Sequence, residues 1–134
     1  MINTNATWGY TVQVANTANG LDEAANPGVN PVPASATNEN LATASNYGYG
    51  INASVDAWVN VDWKASEAWT IAAGVFNGWA AVVSPLAAWA ANLVVGAWVA
   101  NQQRTTVNLQ VKVSSLQEAW AYSDTVTYTV TWTF

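Results

Sequence analysis

The chain has 134 residues, of which 51% are hydrophobic and 8% are charged; 3 basic residues stand against 8 acidic ones, for a net charge of −5. This length suits one domain with a real core, and so few basic residues argue against nucleic acid or an anionic membrane surface as a partner. The chain has neither Cys nor His. It therefore lacks a thiolate, the usual general base and the commonest transition-metal ligand, and we expect no enzyme, no metal site and no cofactor.

The low charge also bears on assembly. Ordinary soluble domains contain roughly 25% charged residues, and a monomer with so few would have trouble staying in solution. Three situations fit: an assembled structure whose subunit faces are buried, a membrane protein, or an extracellular surface rich in Asn and Thr. We favour assembly among copies of this chain.

The first predicted strand covers Ala6–Asn16, where apolar and small or polar residues alternate. Its apolar row consists of Trp8, Tyr10, Val12 and Val14. We expect one domain over residues 1–134, with residues 1–16 as the first choice for a strand donated to, or swapped with, another copy.

Residues 17–46 follow as a predicted long loop or linker, rich in Asn, Ala, Thr, Gly and Pro. Asn26-Pro27-Gly28 is typical of a turn. Loops longer than about 12–15 residues tend to be functional or linking, so this segment can act as a tether for the strand before it. Short strands inside it stay an open alternative.

Tyr47–Lys64 is the second clear strand region, with apolar residues at the odd positions. Its length indicates either one long strand or two strands joined by a bulge, and Gly48 and Gly50 are the expected bend points. Trp58 breaks the pattern, because it lies on the polar face between Asp56 and Asn60.

The segment Ala68–Gln103 contains no charged residue. Its Trp residues recur at intervals of ten, ten and nine. Three interpretations compete: short buried strands, Ala-rich helix such as Leu86–Ala100, and a membrane span over Trp79–Val99. A span needs roughly 20 apolar residues, but Pro85 and the scattered Trp residues argue against it. We favour strands.

Two further strands are predicted at Thr105–Ser114 and at Asp124–Phe134. In the last one, apolar residues take every even position from Val126 to Phe134 and Thr takes every odd one from Thr125 to Thr133. Such alternation predicts one buried face and one solvent-exposed face. The short connection between the two strands predicts that they form an antiparallel hairpin. Strands without a secure helix predict an all-β fold with long polar loops, either a sandwich or a barrel, and we favour an antiparallel sandwich.

The residues TTVNLQVKVSSLQEAWAYSDTVTYTVTWTF, from Thr105 to Phe134, resemble the closing strands of secreted bacterial surface β-sandwiches, namely spore-coat-U-like and fimbrial subunits and WxL-type wall domains. The match departs at residues 117–121, where those families often carry Pro-Ala-Gly. The resemblance implies an extracellular, immunoglobulin-like or pilin-like sandwich and assigns no site residues.

The remaining candidates are aromatic or acidic. Trp58, on a polar face, and Trp120, in a predicted turn, are candidate anchors for a neighbouring subunit or platforms for a sugar ring. Trp8, Trp63 and Trp132 are expected in the core. Asp56 and Asp62 lie about 20 Å apart along a strand, too far for glycosidase chemistry. Asp22-Glu23 is expected to be hydrated loop charge.

Two sequons, at Asn5 and Asn52, are also present, and Asn52 is expected on the outer, polar face of its strand. A sequon is glycosylated only in a host that has the N-glycosylation machinery.

The expected function is an extracellular structural subunit at the cell surface that assembles into a filament, pilus-like fibre or surface layer by β-strand addition. Ala6–Asn16 is the first candidate for the added strand, and Val126–Phe134 is the second. The alternatives are a carbohydrate-binding sandwich, with cell-wall or surface glycans as partners, and an outer-membrane β-barrel.

Overall fold

The computed structural model describes residues 2, 5–17, 20–23, 32–33, 40–41, 47–55, 69–71, 83, 86–97 and 105–134. These residues form nine strands and no helix. The strands are β1 (Tyr10–Asn16), β2 (Gly20–Glu23), β3 (Val32–Pro33), β4 (Gly48–Val55), β5 (Trp69–Ile71), β6 (Ala91–Gly96), β7 (Thr105–Lys112), β8 (Tyr122–Ser123) and β9 (Val126–Trp132). The expected β-rich fold is confirmed.

The strands form three antiparallel sheets. The largest has the order β5-β6-β1-β9, a second has the order β3-β2-β8, and β4 pairs with β7 in a third. β1 therefore lies inside its sheet, whereas β9 and β7 are end strands in the described part of the chain. The predicted hairpin between the last two long strands is wrong, because β7 and β9 belong to different sheets.

The alternation of β1 becomes an alternation of burial. Tyr10, Val12 and Val14 are buried, and the residues between them are only partly covered. β-branched and aromatic residues suit such a strand. On one side the Tyr10 ring lies over Gly96 of β6, where an added Cβ would strike it. On the other side it meets the ring of Trp132, with the centroids 6.0 Å apart.

A turn precedes β1, so the strand is shorter than its sequence pattern. Gly9 donates its backbone N–H to the carbonyl of Ala6 at 3.3 Å and has φ of +93°, a conformation that glycine adopts at little steric cost. Trp8 lies in this turn and is 71% exposed. The prediction of a core Trp8 is therefore wrong, because the turn removes it from the alternation of the strand.

One core is shared between the sheets. Buried residues of β1 and β6 from the largest sheet, of β4 from the third, and Leu86 form a single hydrophobic cluster. The members are Tyr10, Val12, Val14, Tyr49, Ile51, Ala53, Leu86, Leu93 and Val94. Burying side chains such as these supplies most of the stability of a domain, at roughly 1.5–3 kcal/mol for each large one.

β4 runs straight through the positions where a bend was expected. Gly48 pairs with Lys112 and Gly50 with Gln110 in an unbroken ladder. Asn52, expected on an outer face, is buried, and its Oδ1 accepts a hydrogen bond of 3.0 Å from Asn108 Nδ2. A buried, hydrogen-bonded Asn side chain is unsuited to carry a glycan. The prediction that Asn52 lies on an outer face is therefore wrong.

Short strands occur in both of the long segments for which the sequence left alternatives open, residues 17–46 and Ala68–Gln103. β2 and β3 pair with one another within residues 17–46, so the alternative of short strands there is confirmed. In Ala68–Gln103 the described residues include β5 and β6, paired antiparallel. A helix over Leu86–Ala100 is therefore wrong. No helix of the described residues is long and apolar enough to cross a membrane.

Candidate functional site

The assembly candidates of the first strand fall into two groups. Tyr10, Val12 and Val14 are core residues of β1, held between β6 and β9. Trp8 is exposed in the turn before that strand. Within a single chain, β1 thus fills an interior position of its sheet and leaves neither of its edges open.

The last strand presents the opposite arrangement. The register places Trp132 beside Tyr10, Val130 beside Val12 and Tyr128 beside Val14. Directly opposed residues of paired strands share a face, so this row continues the core face. Nevertheless, Val130 and Trp132 are each 39% exposed, and Tyr128 and Phe134 more so. The expected burial of this face is wrong from Tyr128 to Phe134, Trp132 included, because only the start of β9, at Val126, packs against the described core cluster.

The third sheet repeats this arrangement. Tyr49 and Ile51 of β4 are buried, whereas their direct partners on β7, Val111 and Leu109, are exposed. Val113 continues the exposed row. Val111 also borders an open depression of about 400 Å³, whose other lining residues are Leu41, Gln110 and Lys112. Each of these two sheets therefore has a strand whose apolar row lies in the core, β1 or β4, paired with an end strand whose apolar row is exposed, β9 or β7.

A polar cluster joins the two sheets next to the core. Asn16 ends β1, Tyr49 lies near the start of β4, and Asp124 lies two residues before the first residue of β9. Tyr49 Oη donates to Asp124 Oδ2. Asn16 Nδ2 donates to Tyr49 Oη at 2.7 Å and to Asp124 Oδ2 at 3.1 Å. The cluster ties the last residue of β1 to β4, the two strands whose apolar rows lie in the core.

The second carboxylate oxygen of Asp124 is held as well. It accepts the Thr17 hydroxyl at 3.2 Å and the backbone N–H of Thr125 at 2.7 Å. Hydrogen bonds to a charged group contribute about 1.5–3 kcal/mol each. Asp124 therefore fixes the chain both where β1 ends and where β9 begins.

The Tyr49 hydroxyl is poorly suited to chemistry on a substrate. Burial, helped by the hydrogen bond to Asp124, raises the pKa of Tyr49 well above its ordinary value near 10. The side chain is fully buried, so a reactant cannot reach it. The cluster is accordingly a structural joint.

Sequence reasoning missed this cluster. The signals were an Asn ending the apolar row of β1 and a carboxylate directly before the strictly alternating last strand, in a chain with few acidic residues. Nothing in the sequence, however, paired either of them with Tyr49, which lies 33 positions from Asn16 and 75 from Asp124.

The predicted aromatic anchors are only partly described. Trp120 lies between β7 and β8 and is 55% exposed. Its Nε1 donates to Glu118 Oε2 at 2.7 Å and its backbone N–H to the carbonyl of Glu118 at 3.0 Å, which fixes the ring at the surface. Trp58 and Trp63 lie outside the described residues.

The acidic candidates give no metal cluster within the described ranges. There, no three acidic, His or Cys side chains come together. Asp22 lies in β2, paired with Ser123 of β8. Asp56 and Asp62 lie outside the described residues, and Asn5 of the first sequon is exposed.

No family model, no curated protein and no solved structure matches the chain. The resemblance of Thr105–Phe134 to bacterial surface sandwiches thus stays a prediction, and the functional argument depends on the geometry of the chain itself.

Proposed function

We propose that this chain is an extracellular structural subunit, an antiparallel β-sandwich of the immunoglobulin-like or pilin-like kind, that assembles with copies of itself by strand addition. The observation that carries the proposal is the exposed apolar row of β9. It has the alternation of a core strand, yet in the single chain Tyr128 is 48% exposed and Val130 and Trp132 are each 39% exposed.

The second exposed row and the composition support the same proposal. Leu109 and Val111 of β7, with Val113 directly after that strand, form a second exposed apolar row. Contiguous exposed apolar patches typically mark interaction sites, and the 8% charged residues give the monomer little to keep it in solution. A filament, pilus-like fibre or surface layer would bury both rows.

Two modes of strand addition compete. In the first, a copy donates its residues 6–16 to the position that β1 fills in a single chain, between β6 and β9. In the second, β9 pairs with a strand of a neighbour through its open edge. In both, backbone hydrogen bonds would supply affinity and alternate side chains would supply specificity.

The test of assembly is sedimentation together with electron microscopy of the purified protein over a range of concentrations. We expect particles much larger than one chain, growing with concentration, and visible as fibres or sheets. A protein that stays monomeric at every concentration would contradict the proposal.

Strand donation has its own test. A chain lacking residues 1–16 should misfold or stay monomeric, and a peptide of residues 6–17 added in trans should restore its β-structure. The matched control is the same peptide with Val12→Asp and Val14→Asp, which places charges in the core position. Normal assembly of the shortened chain without peptide would rule out the donor role.

A second candidate function is carbohydrate binding at the cell surface. The exposed Trp120 ring, fixed by Glu118, favours it, since flat aromatic faces stack on sugar rings. A panel of cell-wall glycans should then shift Trp fluorescence in the parent chain and not in Trp120→Ala. No shift with any glycan, from a protein that sediments as a polymer, would leave assembly as the function.

A further inference from the structure

The outer edge of β9 offers a regular series of backbone groups. Thr17 donates its N–H to the carbonyl of Thr125, and Thr133 donates to the carbonyl of Gly9. Antiparallel pairs alternate between hydrogen-bonded and non-bonded, so with this register the odd-numbered residues of β9 bond to β1. The N–H and C=O groups of the even-numbered residues, from Val126 to Trp132, therefore point away from β1.

The same residues carry the apolar row. The even-numbered residues of β9 thus have outward-pointing backbone groups and apolar side chains that continue the core face beyond β1. A strand added at this edge would satisfy the backbone groups and cover the apolar side chains together.

Among the described residues no strand pairs with this edge, and β9 itself carries none of the features that block such pairing. Folded proteins guard an end strand with Lys, Pro, a bulge or a very short strand. Residues 125–134 contain no charged residue, no Pro and no Gly, and the register with β1 is unbroken over seven pairs. By contrast, the end strand β7 carries Lys112.

We infer that the occupant of this edge is β9 of a second copy, paired antiparallel about a two-fold axis; the inference deepens the proposed assembly and rests on it. An identical strand is the partner for which every outward group has a counterpart, and an uncharged edge lets two copies of a chain of net charge −5 meet without like charges opposed. The two large sheets would then merge into one.

The register follows from using the whole row. Pairing Val130 with Val130 of the second copy sets Tyr128 opposite Trp132, and Val126 opposite Phe134. All even-numbered residues of 126–134 then have an apolar partner, and two aromatic pairs form, of the kind that stabilises sheets by about 0.2–1 kcal/mol each. In the neighbouring register that pairs Tyr128 with Val130, Phe134 would lie opposite Asp124 and lack an apolar partner.

Because the interface is two-fold, it closes on itself and makes a dimer. A fibre or layer then needs a second contact, and the exposed row of β7 is one candidate for it. β9 pairing is therefore one of two interfaces that a polymer would use.

Single cysteines test the register directly, because the chain has no cysteine of its own. In the paired dimer, the two copies of Val130 lie about 5.5 Å apart between Cα atoms, within the range of a disulfide. The two copies of Thr129 lie diagonally, roughly 7–8 Å apart. Under mild oxidation Val130→Cys should form a covalent dimer, and Thr129→Cys, the matched control, should not. Circular dichroism shows whether both variants keep the fold.

The outcomes separate this inference from the proposed function. Cross-linking of Val130→Cys alone supports β9 pairing, and if the protein then sediments as a plain dimer, the polymer is overturned while the pairing stands. A polymer in which Val130→Cys fails to cross-link, or in which Thr129→Cys cross-links as well, overturns the pairing and leaves the assembly. A parent chain that is monomeric at all concentrations overturns both.

Discussion

β1 and β9 are neighbours in one sheet with nearly the same sequence pattern, and their burial is opposite. Val14 and Tyr128 are direct partners on one face, but Val14 is 1% exposed and Tyr128 is 48% exposed. Alternation in a sequence therefore defines which residues share a face. Whether that face is buried depends on what covers it, and the pair β4 and β7 shows the same difference.

The largest expected effect comes from a charge placed on each of the two strands. Val14→Asp buries a carboxylate without a partner and should lower the free energy of unfolding by about 4 kcal/mol or more. Val130→Asp, the matched variant on β9, should change it by less than about 1 kcal/mol while weakening self-association. Urea denaturation and sedimentation measure the two effects. Equal destabilisation by both variants would show that β9 is as buried as β1.

Gly9→Ala tests the turn that precedes β1 and keeps Trp8 out of the strand. A Cβ at this position would strike the backbone carbonyl of Gly96, and φ of +93° is strained for alanine. We expect a loss of about 2–3 kcal/mol in the free energy of unfolding. Thr7→Ala, an exposed change in the same turn, is the control and should be nearly neutral. If Gly9→Ala left the free energy of unfolding unchanged, the turn with positive φ at Gly9 would not be the structure that precedes β1.

Tyr49→Phe tests the joint between the two buried strands, β1 and β4. It removes the hydroxyl that donates to Asp124 and accepts from Asn16, and should cost about 1–3 kcal/mol of unfolding free energy. Tyr122→Phe removes a half-buried hydroxyl near the surface, which accepts from Gln117 Nε2, and should cost less. Thermal unfolding of both variants makes the comparison. A larger loss from Tyr122→Phe would contradict the assigned role of the cluster.

The same hydroxyl gives the smallest effect, a dependence on alkaline pH. The pKa of Tyr49 is raised in the folded chain, so above about pH 10 the unfolded state releases a proton that the folded state keeps. Stability is thus fully present below pH 10 and falls above it, by at most about 1.4 kcal/mol per pH unit from this group. Denaturation from pH 8 to 11 should show a steeper decline in the parent chain than in Tyr49→Phe. Parallel declines would exclude Tyr49 as the source.

Much of the strand pattern followed from the sequence, because side-chain alternation is a local property. The strand from Tyr10 to Asn16 and the last two long strands lie where their alternation predicts. The pairing of the strands did not follow: β7 joins β4 and β9 joins β1, although the short connection between β7 and β9 favoured a hairpin. Pairing depends on contacts between distant parts of the chain, which local periodicity does not contain.

The site was less predictable for the same reason. Trp8 has the spacing of a core residue, but the turn closed by Gly9 removes it from the strand. Asn16 and Asp124 meet only because β1 and β9 pair antiparallel, and Tyr49 joins them across the core. The exposure of the β9 row depends on where the covering layer ends, and no pattern within β9 could show it.

Amide hydrogen exchange along β9, measured in dilute and in concentrated protein, tests the central claim most directly. In the dilute monomer, the amides of Thr127, Thr129 and Thr131 should be protected by β1, while those of Tyr128 and Val130 exchange rapidly from the open edge. In concentrated, associated protein, both sets should be protected. If the associated protein kept the alternation between protected and unprotected amides, the open edge of β9 would not be the place where copies of this chain meet.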